Sequence, residues 1–371
     1  MSRGTPGLYV HVPFCRGKCL YCDFYSIADI SQVLDYLEAL AQEARLYQGR
    51  FPAFDTLYLG GGTPSLLSGP QLAALMDCLR RHFTFAPDTE VTLEANPDDL
   101  TLEKLRLFLD LGVNRLSLGV QSFDDAELRF LGRRHTARQA LQTIVWARAA
   151  GFNNLGVDLI YALPGQTEAA WRKNLEKVLK FQPEHLSCYQ LTLSPETPLG
   201  QRQARGEFAP PAEEAQRRLF LLTSQFLEAR GYLHYEVANF ARGAARRCRH
   251  NLKYWQHAPY LGLGPAAHSF DGTRRWWHHA SLDRYCQALR QGQLPLAGEE
   301  TLTPEQLRLE ACLLGLRTRE GLPLKFLSPS AQTQALPRLT QAGLVKVRRG
   351  RLIPTPAGLV LADRLPLWLA D

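Results

Sequence analysis

Three cysteines stand within eight residues near the start of the sequence, Cys15, Cys19 and Cys22, in the spacing CxxxCxxC. Thiolates are soft ligands that favour zinc or iron–sulfur clusters. Zinc sites usually take four protein ligands in two spaced pairs, and the sequence has no second pair of this kind. Three thiolates on a four-iron cluster leave one iron open to an exchangeable ligand. We therefore expect a metal centre here, zinc or an iron–sulfur cluster, rather than three buried core thiols.

A second group of polar residues stands where apolar stretches end. Gly62 and Thr63 belong to the run GGGTPS, whose bare backbone lets a ligand approach N–H groups closely. Glu94, Gln121 and Asp158 stand at or near the ends of three further apolar stretches. The carboxyl ends of parallel strands are where βα barrels place their sites. We expect these residues to belong to one site.

The elements that must position these residues alternate along the chain. Short apolar, β-branched stretches alternate with segments whose apolar residues recur every three or four positions, which indicates βα units and a parallel sheet. The predicted strands are Leu8–Val12, Thr56–Leu59, Glu90–Leu93, Arg115–Val120, Leu155–Ile160 and Leu186–Leu193. The predicted helices are Gln32–Tyr47, Gln71–Phe83, Leu102–Leu111, Ala137–Ala150, Glu168–Phe181 and Ala212–Arg230. Six βα repeats favour an α/β fold with an open barrel.

The character of the sequence changes at about Thr303. A helix is predicted from Pro304 to Leu316, a second helical piece at 322–326 and a third at 331–342, followed by two short strands around the basic turn 348–351. Helices followed by such a hairpin resemble a winged helix. We therefore expect a barrel at residues 1–239, a region of loops and short strands covering it at 240–302, and a small C-terminal winged-helix-like α+β domain at 303–371.

Composition limits the class and the location of the protein. The 371 residues are 45% hydrophobic and 21% charged, which is ordinary for a globular protein. The apolar stretches fall short of the roughly 20 residues that span a bilayer. The stretch Met1–Gly7 lacks the succession of charged, apolar and small residues that is typical of a secretory signal. We expect a cytoplasmic protein whose cysteines are thiols or metal ligands.

The net charge of +7 includes two basic runs, at 242–249 and 346–351. Nucleic acid, an anionic lipid surface or a small polycarboxylate would each suit such runs, and a solvated basic face explains them equally well. Peripheral membrane association therefore stays open. Specific nucleic-acid binding by the C-terminal hairpin is not expected, and steeply salt-dependent DNA binding would contradict this.

The segment from Tyr9 to Cys22, YVHVPFCRGKCLYC, resembles the signature of the radical S-adenosylmethionine (SAM) superfamily. Its flanks resemble the oxygen-independent coproporphyrinogen III oxidase-like family. The resemblance implies a partial (β/α)6 TIM-like barrel, a 4Fe-4S cluster on the three cysteines, SAM on the open iron, and a reductant such as flavodoxin or ferredoxin. The cofactor-binding residues that it implies by position are Tyr9, Tyr21, Gly62, Thr63, Glu94, Gln121, Arg133 and Asp158.

A motif further along the chain, HNxxYW from His250 to Trp255, resembles the marker of haem chaperones of the HemW type. Imidazole can ligate haem iron, and Tyr254 and Trp255 offer flat apolar surfaces to a macrocycle. By chemistry alone, a structural histidine and core aromatics explain the motif better; the resemblance favours haem on His250. In the segment LGLGPAAHS, His268 either faces the site or is a satisfied polar group.

The resemblance implies a radical SAM haem chaperone that binds haem, a 4Fe-4S cluster and SAM and transfers haem to acceptor proteins. An oxygen-independent coproporphyrinogen III dehydrogenase, which decarboxylates a porphyrinogen, is the alternative, and a radical SAM enzyme that degrades haem is another. Two departures from the oxidase favour the chaperone. Phe24 stands where the oxidase has a further cysteine, and Cys15 lies too near the start for the extension that precedes the oxidase's cluster motif. The SAM residues are the same in all of these, so SAM cleavage fits each.

Overall fold

The computed structural model describes residues 4–369. The predicted domain limits at residues 1 and 371, and the first three residues of the stretch Met1–Gly7, lie outside this range. In the barrel half of the chain, the strands are β1 (Gly7–Val12), β2 (Phe54–Gly61), β3 (Phe85–Ala95), β4 (Arg115–Gln121), β5 (Leu155–Tyr161) and β6 (His185–Gln190). The helices that alternate with them are α1 (Val33–Leu46), α2 (Gly69–His82), α3 (Leu102–Asp110), α4 (Asp125–Leu131), α5 (Ala137–Ala150) and α6 (Glu168–Leu179).

All of these helices except α1 begin at a short polar side chain that caps them, and the helices lie on the sheet through one apolar face. In α2, Ser68 and Gln71 form a capping box, and in α5 Thr136 and Gln139 do the same. The apolar stripe predicted for α1 is the face that is buried, so the helical periodicity of the sequence reflects packing on the sheet. Helix α4 was not predicted; its seven residues are too few for a periodicity to show.

Strands β1–β6 lie side by side in chain order, and all neighbouring pairs among them are parallel. Their carboxyl ends therefore meet at one end of the sheet. This confirms the predicted α/β fold with a mostly parallel sheet. Across residues 4–369, the full sheet has twelve strands, in the order β12-β11-β10-β9-β1-β2-β3-β4-β5-β6-β8-β7.

The strands beyond β6 enter this sheet from both sides. On the β6 side, α7 (Pro198–Ala204) and α8 (Glu213–Glu228) lead to β7 (Leu233–His234) and β8 (Asn239–Ala241). On the β1 side, the elements are α9 (Arg249–Trp255), β9 (Tyr260–Leu263), β10 (His268–Phe270), β11 (Arg274–His278), α10 (Leu282–Arg290) and β12 (Leu296–Thr301). Strand β9 pairs with β1 in parallel. The strands of residues 240–302 thus extend the sheet, and the role of this region as a cover of the barrel stays a prediction.

The C-terminal part of the chain has its own core and its own small sheet. Its elements are α11 (Pro304–Gly315), β13 (Leu322–Pro323), α12 (Leu336–Gln341), β14 (Val345–Arg348), β15 (Arg351–Pro354), α13 (Pro356–Leu359) and α14 (Leu365–Leu369). The hairpin β14–β15 forms as predicted, and β13 pairs with β15. The second predicted helical piece, at 322–326, is present only in part: Leu324–Phe326 form a single 3-10 turn, whereas Leu322–Pro323 form a short strand, because the residue before a proline disfavours the helical conformation.

Within the described residues, no helix is both long enough and apolar enough to cross a bilayer.

Candidate functional site

The three predicted cluster cysteines lie on one loop, which follows β1 and is fixed at its base and near its tip. Backbone hydrogen bonds from Cys15 N to Ile27 O (2.9 Å) and from Ile27 N to Pro13 O (2.7 Å) close the base. Leu20 N, between the second and third cysteines, donates to Leu131 O at the end of α4 (3.1 Å). All three thiols are partly buried and line one cavity.

The thiols have polar neighbours. Thr63 Oγ1 lies 3.4 Å from Cys15 Sγ, and Arg133 Nη1 donates to Cys19 Sγ at 3.4 Å. Burial, with the other two cysteines nearby, raises the pKa of Cys22, whereas a bound metal would deprotonate it. Among residues 4–369, no three His, Cys, Asp or Glu side chains are arranged to hold one metal ion. Three soft sulfur donors fit an iron–sulfur cluster, in which each sulfur binds a separate iron.

The Gly-rich turn lies directly against the start of the cysteine loop. Gly62 N donates to Val12 O (2.8 Å), and a Cβ on Gly62 would stand 2.7 Å from Phe14 O. Only glycine therefore permits this approach of the two backbones. The neighbouring Thr63 is buried, and its hydroxyl accepts from Asn96 Nδ2 at 3.0 Å. The turn thus presents backbone and one hydroxyl beside Cys15.

Two carboxylates from separate strands reach the same cavity. Glu94, on β3, accepts hydrogen bonds from Tyr58 OH (2.7 Å) and from Gly61 N (3.3 Å). Burial, with Asp158 adding a like charge, raises the pKa of Glu94 to about 7. Asp158, on β5, accepts from Ser117 Oγ at 3.3 Å, and burial raises its pKa as well. The pair can accept hydrogen bonds from hydroxyl or ammonium groups of a ligand.

Gln121 and Arg133 also line the cavity. Gln121 ends β4 in the left-handed backbone region (φ 66°), and its buried Oε1 has no hydrogen-bond partner among the described residues. Arg133 Nη2 donates to Asn96 Oδ1 (2.5 Å) and Gly119 O (2.6 Å), while its buried Nε is without a partner in residues 4–369. Buried polar atoms are rarely left unpaired. These two fit a polar ligand in the cavity.

Ten of the twelve predicted site residues line this one cavity, which has a volume of about 390 Å³ and which we call the cysteine cavity. Tyr21 is among them, packed beside Leu131 and Ile160. The donor set and the unpaired polar atoms fit a cluster with SAM beside it. The predicted residues of the cysteine cavity are Cys15, Cys19, Tyr21, Cys22, Gly62, Thr63, Glu94, Gln121, Arg133 and Asp158.

The other two predicted residues, Tyr9 and His250, line a second cavity of about 500 Å³, the histidine cavity, together with Tyr58, Tyr254 and Trp255. The two cavities are neighbours, because Glu94 and Tyr189 line both.

His250 lies on α9 and is 1% exposed. Its Nδ1 lies 2.8 Å from Thr56 Oγ1 and its Nε2 lies 2.9 Å from Tyr254 OH, one helical turn away. Burial lowers its pKa to about 3, so the imidazole is neutral. A neutral imidazole is the form that ligates metals, but both nitrogens are engaged within the chain. The carboxylate of Glu90 fixes the start of α9 by accepting from the backbone N–H groups of Arg249 and His250, each at 3.1 Å.

Tyr9 connects the histidine cavity to the cysteine loop through His11. His11 Nε2 lies 2.9 Å from Tyr25 O and must donate to that carbonyl, so its Nδ1 accepts from Tyr9 OH at 3.2 Å. Tyr25 follows the third cysteine, which places the chain Tyr9–His11–Tyr25 between the histidine cavity and the cysteine loop.

Two residues of the cysteine cavity were not predicted from the sequence. The criterion that selected polar residues at strand ends could have found them. Tyr189 and Gln190 close β6 and line the cysteine cavity. Because β6 was predicted to run to Leu193, its true end was placed three residues too late.

Two expectations outside the cavities need correction. His268 does not face either cavity; it is exposed on β10 and stacks on Trp277, with ring centroids 6.0 Å apart. The basic run at 242–249 is not simply a free cationic face, since Arg247 pairs with Glu320 and Arg249 pairs with Asp55 (3.3 Å).

Comparison with known proteins agrees with this arrangement. A model of the radical SAM superfamily matches residues 9–178, and a model of the HemN C-terminal domain matches residues 302–361. The heme chaperone HemW of Mycobacterium tuberculosis is 38% identical over 367 residues, which cover 97% of this chain and 94% of that protein. The heme chaperone HemW of Bacillus subtilis is 36% identical over 321 residues, with 85% and 84% covered.

Among solved structures, coproporphyrinogen III oxidase (HemN) from Escherichia coli, described as a radical SAM enzyme, is similar over nearly the whole chain. The TM-score is 0.83 at 27% identity, and the match covers 99% of this chain and 91% of that one.

Proposed function

The chain belongs to the radical SAM superfamily and, within it, to the family of the heme chaperone HemW, and on that premise we propose that it binds haem, a 4Fe-4S cluster and SAM and transfers haem to acceptor proteins. One observation supports this above the others. The cavity lined by the three cysteines adjoins the cavity lined by the HNxxYW side chains, and Glu94 and Tyr189 belong to both.

In this proposal Cys15, Cys19 and Cys22 ligate the cluster. Gly62 and Thr63 bind the amino group of SAM, and the polar residues that face them bind its remaining parts. A reduced cluster held by these thiolates would supply the electron for cleavage of SAM bound beside it. The chain's own contribution is to orient: Arg133 donates to Cys19 Sγ and also faces the polar cavity, so one cation serves both cofactors. The polar residues assigned to SAM's ribose, methionine and adenine are Glu94, Gln121, Arg133 and Asp158, with Tyr21 beside the adenine.

Haem belongs to the histidine cavity in this proposal, with His250 as iron ligand. The tyrosine and tryptophan rings of that cavity suit a flat macrocycle. Ligation requires that His250 give up one of its two hydrogen bonds, to Thr56 or to Tyr254. Since the pKa of His250 is lowered to about 3 by burial, no proton competes for the freed nitrogen at neutral pH. An electron donor such as flavodoxin or ferredoxin and the haem acceptor are external partners.

Coproporphyrinogen III dehydrogenation is the second candidate, favoured by the likeness to HemN over 99% of the chain. Against it stands Phe24, which lines the cysteine cavity, 65% exposed, where the oxidase resemblance leads one to expect a thiol.

Two assays on the anaerobically reconstituted protein test these proposals. A haem titration followed by absorbance should saturate at one haem per chain, and iron and sulfide analysis should show a cluster. Incubation with coproporphyrinogen III, SAM and reductant should leave the porphyrinogen unchanged. Protoporphyrinogen formation would reject the chaperone-only proposal, and loss of haem during turnover would point to haem degradation.

A further inference from the structure

Arg317 brings a positive charge to the histidine cavity from the C-terminal part of the chain. It follows α11, outside the parallel sheet, yet it lines the same cavity as His250 and Trp255. Among the described residues that line this cavity, Arg317 is the one arginine or lysine.

The backbone holds Arg317 in place against the barrel. Val237 N donates to Arg317 O at 3.0 Å, and Arg319 N donates to Tyr235 O at 3.0 Å. Between these bonds, Glu236 and Thr318 form an antiparallel bridge. The backbone of residues 317–319 is therefore fixed beside the cavity and does not belong to a free surface loop.

The guanidinium of Arg317 has more N–H donors than the described residues use. Within residues 4–369 it makes a single hydrogen bond, from Nη2 to the exposed Asp363. Its Cζ lies 5.9 Å from the centroid of the Trp255 ring. The side chain is 24% exposed, so charge on a ligand would be screened only in part. Arginine is suited to two parallel hydrogen bonds with one carboxylate.

The acidic groups around the cavity do not neutralise this cation fully. Glu236 is buried, and burial raises its pKa to about 7; its carboxyl is already hydrogen-bonded by Ala238 N at 3.1 Å. Glu94 is likewise a carboxyl whose pKa burial raises to about 7. Near neutral pH each is partly protonated. The ion-pair partner of Arg317, Asp363, is exposed and does not line the cavity, so an anionic ligand in the cavity competes with this one solvent-screened carboxylate.

We infer that Arg317 anchors a carboxylate of the tetrapyrrole bound in the histidine cavity, which makes the C-terminal part of the chain a component of the haem site. The inference rests on the proposed function. It specifies the ligand: a flat aromatic macrocycle lies along the tyrosine and tryptophan side, and a carboxylate lies toward α11.

The test compares haem with its dimethyl ester, in which both carboxylates are blocked, as ligands of the full reconstituted chain. Arg317→Gln should weaken haem binding about tenfold, as expected for loss of a charge-assisted hydrogen bond, and leave ester binding unchanged. Arg319→Gln is the matched control, since Arg319 lies on the same segment but pairs with Glu228 (3.1 Å). It should alter neither affinity.

Equal affinity of Arg317→Gln and the unchanged protein for haem would overturn the inference. So would an equal loss for haem and ester, because that is the result of a purely structural role. If the unchanged protein itself binds no haem, the proposed function fails, and the carboxylate anchor fails with it for a separate and recognisable reason.

Discussion

Tyr58 donates a hydrogen bond of 2.7 Å to Glu94, and this pair stands between the cysteine cavity and the histidine cavity. The Tyr58 ring lies 5.1 Å from the ring of His250, and Glu94 lines both cavities. A ligand that hydrogen-bonds to Glu94 therefore affects the hydrogen bond from Tyr58, and the ring of Tyr58 packs on His250. If the two sites are coupled through this pair, the coupling must be reciprocal: SAM alters haem affinity by the same factor as haem alters SAM affinity.

The first prediction concerns the pH dependence of SAM binding. Burial raises the pKa of Glu94 to about 7, and the Tyr58 hydrogen bond lowers it. If ionised Glu94 accepts from SAM hydroxyls, SAM affinity falls as the pH drops through about 7. Tyr58→Phe removes the donor, so the pKa of Glu94 rises and the midpoint of this loss moves to higher pH. Equilibrium dialysis of SAM between pH 6 and 8.5 measures both curves.

A matched control for Tyr58→Phe is Tyr232→Phe. The phenol of Tyr232 is also buried, but it donates to Pro183 O (2.6 Å) and lines neither cavity. The SAM binding curve of the Tyr232→Phe variant should coincide with that of the unsubstituted protein. A Tyr58→Phe midpoint that stays in place, or moves to lower pH, would contradict the assignment of Glu94 as an ionised acceptor for SAM.

The second prediction concerns the cluster. Replacement of Cys15, Cys19 or Cys22 by Ser should reduce the iron bound after anaerobic reconstitution from about four per chain to less than about one, because a hard hydroxyl is a poor substitute for a soft thiolate. Cys78→Ser is the control, since Cys78 is equally a partly buried free thiol but lies on α2. Iron and sulfide analysis measures the cluster content of the cluster cysteine variants and of the control. Iron loss in Cys78→Ser, or full iron in Cys19→Ser, would speak against the assigned ligand set.

The βα half of the fold could be predicted because the apolar residues that recur periodically in the sequence are the same residues that are buried in the sheet and against it. The stripe of α1 and the apolar stretch of β4 are buried for the same reason that they are visible in the sequence. Residues 240–302 offered no such pattern. Whether β9 lies on the sheet or in a cover depends on its pairing with β1, more than two hundred residues away, and pairing leaves no periodic signal in a strand of four residues.

The cysteine cavity could be anticipated because its residues stand at strand ends, which a sequence reveals. The histidine cavity could not be delimited in this way. Tyr58 lies inside a strand, and its role depends on a hydrogen bond to another strand. Arg317 reaches the cavity through the bridge between Glu236 and Thr318, residues distant in the chain. The motif HNxxYW was visible, but not that Thr56 and Tyr254 occupy both nitrogens of its histidine.

The third prediction uses two variants with opposite signs to test His250 as haem ligand. His250→Ala should weaken haem binding at least tenfold and, by leaving Thr56 and Tyr254 unpaired, cost about 1–3 kcal/mol of unfolding free energy. Tyr254→Phe removes the competing partner of Nε2 and should strengthen haem binding about threefold. Absorbance titration and urea unfolding measure the two effects. If haem ligates elsewhere, Tyr254→Phe will fail to strengthen it.

The fourth prediction concerns a buried carboxyl outside both cavities. Glu43 Oε2 accepts from Tyr285 OH (2.6 Å) and Gly264 N (2.8 Å), and Glu43 Oε1 lies 3.2 Å from His278 Nδ1. Burial raises the pKa of Glu43 to about 8 and lowers that of His278 to about 4. Between these values both groups are neutral, so the contact is not an ion pair; His278 Nδ1 donates instead to Gly264 O at 3.0 Å.

The folded chain therefore keeps a proton on Glu43 between pH 4.5 and about 8, where the unfolded chain has lost it. Stability must fall as the pH rises through this window, by at most about 1.4 kcal/mol per pH unit from this group. Glu43→Gln does not titrate, so its unfolding free energy relative to the unchanged protein should rise steadily from pH 5 to 8. Urea unfolding at several pH values measures the difference, with Glu38→Gln, on the exposed face of α1, as the control that should stay flat. A constant difference for Glu43→Gln would mean that the pKa of Glu43 is not raised in the folded chain.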